Sequence, residues 1–318
     1  MTAATFSFEV YPPRSPAAEA SLSHSLEALE SSGPEFISVT FGAQGSSRDS
    51  SLGVLRRLHE RGHAPAMAHL TCVGSSYSEA SALIREFLDA GITSFLALRG
   101  DPPGGSPEAS SVTGDLRSAA ELVQLIHRVQ SEREPFRLND VPGFPDARRV
   151  TSGKPVTIAV AAFPHGHPHS RSVSQDLDTL LAKEAAGANL AITQVFFESD
   201  DFLGFVALAR SAGVTLRMLP GIMPVMSVRR LERVLELTNA PDPLQLRRKL
   251  ANADDTVAAA STGIDYTTKL CREVLSGGAT GLHLYTFNQH EPVLAVLEGA
   301  GLIGATPRLH SLQQEESA

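Results

Sequence analysis

Cysteine, basic charge and long apolar runs are all scarce in this chain. Two cysteines in 318 residues, Cys72 and Cys271, form neither a disulfide framework nor a metal-ligand spacing, which suits a reducing compartment. Lys and Arg number 27 against 35 Asp and Glu, a formal net charge of −8, and no basic run is interleaved with aromatics. Nucleic acid is therefore a poor partner. No apolar run reaches the roughly 18 residues of a membrane helix. The first residues, MTAATFSFEV, show neither the charged nor the apolar region of a secretory leader. No Gly-x-Gly-x-x-Gly turn follows an early strand, which counts against an open doubly wound sheet. The expectation is a cytoplasmic protein without a nucleic-acid or membrane partner.

What the chain does have is alternation. Hydrophobic residues make up 42% of it, enough to bury a large core. Short apolar or β-branched runs recur at 5–11, 35–41, 65–72, 93–98, 156–162, 190–196, 215–219 and 281–285. A helical pattern follows each one. Eight β-then-α units with near-continuously apolar strands predict a closed parallel sheet. The fold class is thus α/β, a (β/α)8 TIM barrel over residues 1–302 with a few extra helices before strand 8, and then a polar tail, 303–318. Two stretches break the rhythm. Residues 132–154, rich in Pro, Gly and charge, read as a surface excursion on the face opposite the active site. Residues 241–278 carry the extra helical pattern, with one long helix predicted over 262–276.

Barrel enzymes place their chemistry at strand C-termini and in the loops just after them. Glu9, Thr40, His69, Arg99, Asp101 and Gln194 all fall there. Polar groups that interrupt an apolar strand cost free energy unless they are paired, so a set sharing one end of the barrel reads as a site. Glu9 stands among Phe6, Phe8 and Tyr11. Desolvation there is expected to raise its pKa and keep it protonated, as a general acid needs. A salt bridge to Arg14 would do the opposite. Arg99-Gly100-Asp101 reads as a turn whose glycine lets backbone approach a ligand. The alternating His165, His167 and His169 lack a carboxylate or cysteine cluster nearby, so no metal site is expected.

Together the segments FSFEVYPPR (6–14), FISVTFGAQGSSRD (36–49), AHLTC (68–72), LALRGDPPGG (96–105), FPHGHP (163–168), AGANLAITQVFF (186–197), PGIMPV (220–225) and LHLYTFN (282–288) resemble the methylenetetrahydrofolate reductase family, in order along nearly the whole chain. The resemblance implies a barrel that binds FAD and takes hydride from NADH or NADPH. Its substrate would be a tetrahydrofolate derivative, 5,10-methylenetetrahydrofolate, reduced to 5-methyltetrahydrofolate. It assigns Glu9 as the acid that opens the folate ring and Asp101 as the carboxylate facing flavin and folate. Flavin contacts carry over to Thr40, His69, Arg99, Gly100, Asp101, Thr113, Ala161, Phe163, His167, Asp176 and Lys183. Folate contacts carry over to Glu9, Asp101, Gln194, Arg230 and Gln289; a polyglutamate tail would call for basic residues near the mouth, for which Arg229 and Arg230 are the candidates. A homo-oligomer is implied as well.

The chain departs from the family pattern at its periphery. Phe163 stands where a tyrosine is frequent, Thr179 and Ala182 where an asparagine and an arginine are common, and Val112-Thr113 where a tyrosine-alanine pair is found. Val234, Arg230 and Gln289 replace a phenylalanine, a glutamine and an arginine. These changes leave two other readings on the same barrel. One is direct hydride transfer from nicotinamide to folate without flavin; the other is a non-catalytic folate-binding or partner-binding barrel.

Overall fold

The computed structural model describes residues 4–41, 48–71, 74–100, 114–133, 137–141, 144–151, 156–168, 170–238 and 240–304, with backbone alone for 48, 137–141 and 144–151. Asp101, Thr113, His169 and the tail beyond 304 lie outside the described residues.

Along the chain the elements are β1 (Thr5–Val10), α1 (Pro16–Ser31), β2 (Ile37–Val39), α2 (Arg48–Arg61), β3 (Ala66–Thr71), α3 (Tyr77–Asp89), β4 (Ser94–Leu98), α4 (Ala119–Arg133), β5 (Arg137–Val141), β6 (Phe144–Thr151), β7 (Thr157–Ala162), α5 (Val173–Ala185), β8 (Leu190–Thr193), α6 (Ser199–Ser211), β9 (Arg217–Leu219), β10 (Gly221–Ile222), α7 (Val228–Thr238), α8 (Leu244–Ala251), α9 (Thr256–Ser276), β11 (Gly281–Tyr285) and α10 (His290–Gly299). The parallel sheet runs β10-β11-β1-β2-β3-β4-β7-β8-β9. Its two ends, β9 and β10, are halves of one strand interrupted by Pro220, whose nitrogen cannot join the ladder. The sheet closes on itself there, and the architecture is the expected (β/α)8 barrel.

Strand alternation sorts side chains into two layers. Phe6, Phe8 and Val10 of β1 face outward, packing with Leu22, Leu26 and Leu29 of α1. Met67, Leu96, Ala159, Leu190, Ile192 and Leu219 face the lumen with Phe36. Full burial of side chains such as Phe8 and Phe95 stabilises the fold by about 1.5–3 kcal/mol each. Helix starts follow local chemistry. Ser76 and Glu79 form a reciprocal capping box at α3, and the Asp255 carboxylate accepts from Ala258 N at 2.7 Å to start α9.

Several boundaries differ from expectation. β2 is three residues long, and β8 stops at Thr193, leaving Gln194 in the following loop. The seventh strand resumes beyond Pro220 because Gly221 pairs with His283. α9 begins at Thr256, before the expected 262, because Asp255 supplies the cap. The excursion after α4 contains an antiparallel hairpin, with Arg137 opposite Thr151.

Candidate active site

A cavity of about 700 Å³ opens at the C-terminal ends of the strands. At its floor, the parallel register of β1 on β11 sets Ser7 opposite His283 and Glu9 opposite Tyr285. His283 is fully buried and stacks on Phe36 at 5.7 Å. Its Nδ1 lies 2.8 Å from Ser7 Oγ, which also donates to the Leu282 carbonyl at 3.2 Å. Glu9 Oε2 stands 3.5 Å from His69 Nε2 and 3.8 Å from His283 Nε2. Neither Nε2 has a hydrogen-bond partner among the described residues. A carboxylate and two imidazoles therefore form one cluster at the base of the cavity.

The electrostatics overturn the expected ionisation of Glu9. Burial does push its carboxyl up, but the interaction with His283, and then the charges of His69 and His283, hold it below the ordinary carboxylate range. The aromatic neighbours that suggested desolvation, Phe6 and Phe8, point away into the helix layer. Arg14 is exposed, so the counter-charges are imidazoles rather than a guanidinium. His69 is lowered by burial first, with Glu9 opposing and His283 adding to the effect. Tyr285 is held neutral, well above its usual range, by burial and by the Glu9 charge; its Oη donates to the Thr193 carbonyl at 2.9 Å.

The cavity lining gathers polar and charged side chains from several strand ends. Thr40, Arg99, Gly100, Ala161, Phe163, His167, Asp176 and Lys183, to which the resemblance assigned a flavin, all line the cavity. Gly100 has φ of 83°, a left-handed conformation that glycine adopts without strain. Asp176 is engaged by the loop before α5: it accepts from His167 N at 3.3 Å and from Ser170 Oγ. Lys183 is 8% exposed, and among the described residues its ammonium makes one hydrogen bond, to the Ala161 carbonyl at 2.8 Å. It also lies 5.9 Å from the centre of the Phe163 ring. Burial pushes its pKa down to about 8, with Asp176 opposing and Arg99 adding to the effect. A buried ammonium with unused N–H groups beside an open cavity suits an anionic ligand.

Gln194 lines the cavity, its Oε1 accepting from Val195 N at 2.8 Å. Arg230 stands over the ring of Phe287, which lines the mouth. Gln289 is exposed at the start of α10 and is not among the lining residues. His165 is directed to Asp201, with Nε2 3.4 Å from Oδ2. Sequence reasoning missed Ser7 and His283, and it saw Tyr285 and Phe287 at the end of the last strand without giving them a role. The available signal was the period of two, Ser-x-Glu in β1 and His-x-Tyr in β11, which puts each pair on one face.

A closed parallel barrel whose strand ends carry a carboxylate, imidazoles and a buried cation around one cavity belongs to the class of barrels that bind a small molecule at that face. The model of the methylenetetrahydrofolate reductase family matches residues 1–301, and the chain belongs to that family. It is 32% identical to the 5,10-methylenetetrahydrofolate reductase of Escherichia coli over 303 residues, 93% of this chain and 90% of that protein. It is 31% identical to methylenetetrahydrofolate reductase (NADH) 1 of Arabidopsis thaliana over 317 residues, 96% of this chain and 50% of that protein. The chain thus spans about half the length of such plant relatives. Among solved structures, a Clostridium thermocellum protein described as binding two copies of 5-methyl-5,6,7,8-tetrahydrofolic acid shares the fold. The TM-score is 0.56 at 12% identity, over 94% of both chains.

Proposed function

We propose that this protein reduces 5,10-methylenetetrahydrofolate to 5-methyltetrahydrofolate, using NADH or NADPH and an FAD held in the cavity. The observation that carries the reading is the Glu9–His69–His283 cluster at the cavity floor of a chain of this family. The wall residues fit FAD. Buried Lys183 offers its unused N–H groups to a diphosphate, and Gly100 and Ala161 let a flat ring approach the backbone. Bound flavin would supply the hydride transfer from nicotinamide to folate.

The protein's own part is proton handling and positioning. Opening the folate's five-membered ring breaks a bond between the methylene carbon and one nitrogen, and that nitrogen must gain a proton. Glu9 Oε2 is the group we assign to deliver it. Because Glu9 rests ionised, the proton enters the cluster from outside and is shared with His69 and His283. Transfer to substrate is then transfer from a carboxylate–imidazole set rather than from an isolated acid. Once the nitrogen is protonated, the methylene carbon is an iminium cation, and ionised Glu9 beside it favours that charge. Asp101, next in sequence to Gly100, is proposed to add a second negative charge. Gln194 is proposed to orient the folate ring.

Glu9→Gln keeps the shape and removes the proton. Folate reduction should fall by about 10²- to 10⁴-fold, read by stopped-flow with the nicotinamide and folate halves followed separately. Unchanged turnover would refute the assignment. A second reading, direct transfer from nicotinamide without flavin, draws on the wall itself. Thr179 spends its hydroxyl on the Gln175 carbonyl at 2.7 Å, and Ala182 brings no polar group. The visible spectrum of purified protein with added FAD separates the two: bleaching of bound flavin by reduced nicotinamide, before folate is present, excludes direct transfer as the main route.

A further inference from the structure

Two segments of the cavity rim are joined by a charged pair that the proton chemistry does not use. β7 and β8 run side by side as far as the bond from Gln194 N to the Ala162 carbonyl, at 2.8 Å. Beyond it the chain divides into two paths. One is the loop before α5, where Phe163, His167 and Pro168 line the cavity. The other runs from Gln194 into α6. His165 stands in the first path, and Asp201 stands in the first turn of α6. They bridge the gap, with His165 Nε2 3.4 Å from Asp201 Oδ2. On its own side the loop is a tight turn: Gly166 has φ of 81°, and its N donates to the Phe163 carbonyl at 3.0 Å.

The imidazole is sealed in this position. Its side chain is 15% exposed, and Nε2 is buried without a hydrogen-bond partner among the described residues. Asp201 is placed where a helix N-terminus favours a carboxylate. The other charged groups nearby are engaged elsewhere. Asp176 of α5 accepts from His167 N and Ser170 Oγ, and Lys183 of α5 donates to the Ala161 carbonyl. Glu198, just before α6, accepts from Tyr266 Oη at 2.9 Å. His167, in the same loop, packs edge-on against Phe163. Burial pushes the His165 pKa below the ordinary imidazole value, and the Asp201 charge opposes this without cancelling it.

We propose that His165 and Asp201 form a pH-sensitive latch that holds the loop of Phe163 and His167 against α6 and so sets one wall of the cavity. Asp201 is a positioning residue that acts through His165. While the loop is latched, an imidazolium is cut off from water and has one carboxylate as counter-charge. Once the loop is released, the ring is solvated and titrates near its ordinary value of about 6.5. The latched form is therefore fully favoured above that value and is lost progressively as pH falls below it. The consequence for flavin rests on the FAD reading above: a ligand held by the latched wall should bind less tightly in acid. This window lies below the one in which Lys183 loses its proton.

The latch is tested without flavin, by hydrogen exchange of the ligand-free protein between about pH 7.5 and 5. Mass spectrometry follows residues 163–168, with rates corrected for the intrinsic effect of pH. The wild type should lose protection in this segment by roughly tenfold as the pH falls. His165→Gln should show no such loss. Asp201→Asn, which leaves the imidazole without its counter-charge, should show a larger one. An unchanged loss in His165→Gln, or none in the wild type, would overturn the proposal. So would a loss spread through the whole barrel, which would mean global unfolding. FAD fluorescence titrations over the same range are the second readout: affinity should weaken in acid for the wild type and stay level for His165→Gln. Exchange that follows the latch in a protein that binds no FAD at any pH would support the latch and refute the flavin reading.

Discussion

Lys183 shows how one residue's environment can be read as a binding property. Its folded pKa is about 8 because burial penalises the ammonium. A diphosphate placed beside it would raise that value again. Below pH 8 the free protein already carries the proton, so FAD affinity should be level. Above pH 8 the free form loses the proton while the bound form keeps it, so affinity should fall by up to about tenfold per pH unit. Flavin fluorescence titrations across this range check it. Lys183→Gln should bind FAD roughly tenfold more weakly near neutrality and lose the slope. A slope identical in both proteins would remove Lys183 from the cofactor site. Glu9 carries the complementary lesson. Its position at a strand end was legible from the sequence, but its ionisation was not, because the two imidazoles that set it come from β3 and β11.

At the scale of elements, close approaches decide which glycines matter. A Cβ on Gly263 of α9 would sit 2.1 Å from the Val225 carbonyl oxygen. α9 therefore packs directly on the loop that follows the seventh strand. Gly263→Ala should cost about 1–3 kcal/mol by overpacking. On α6, Gly204 is exposed and meets nothing within 4 Å. Gly204→Ala should stabilise by about 0.5–1 kcal/mol through the unfolded chain. Urea denaturation of the two variants tests both signs; two losses of equal size would contradict the packing argument. The order of strands and helices was readable from apolar periodicity and caps. The start of α9 and the resumption of the seventh strand after Pro220 were not, because a tertiary partner set each of them.

For the whole molecule, the strand N-termini are held by a polar clamp opposite the cavity. Arg217 of β9 donates to Glu35 at 2.5 and 2.8 Å, to Thr5 Oγ1 at 2.6 Å, and to Thr280 Oγ1 at 3.2 Å. It thereby ties together chain entering β1, β2 and β11 on either side of the closure. Hydrogen bonds from Arg217, opposed by burial and aided by Thr5, hold Glu35 below the ordinary carboxylate range. The unfolded chain then binds a proton more readily than the folded one. The clamp's stabilisation is thus present above the ordinary carboxylate pKa and is lost as pH falls through and below it. Glu35→Gln should destabilise by about 1 kcal/mol at neutral pH, since the pair is one-third exposed. It should also flatten the acid limb of a stability–pH curve measured by chemical denaturation. An acid limb identical to wild type would show that the clamp is not a pH-linked tie.

The sequence alone determined the alternation of strands and helices, the layer each strand residue faces, and the gathering of Glu9, His69 and Gln194 at one end. These follow from periods of 2 and 3.6, which are local properties of the backbone. Tertiary structure decided the rest. Ser7 meets His283, and Phe287 meets Arg230, only because the barrel closes in one parallel register. The charge state of Glu9 depends on which side chains that register brings within 4 Å. Coulomb and desolvation energies are set by distance in space, and a single sequence does not specify those distances.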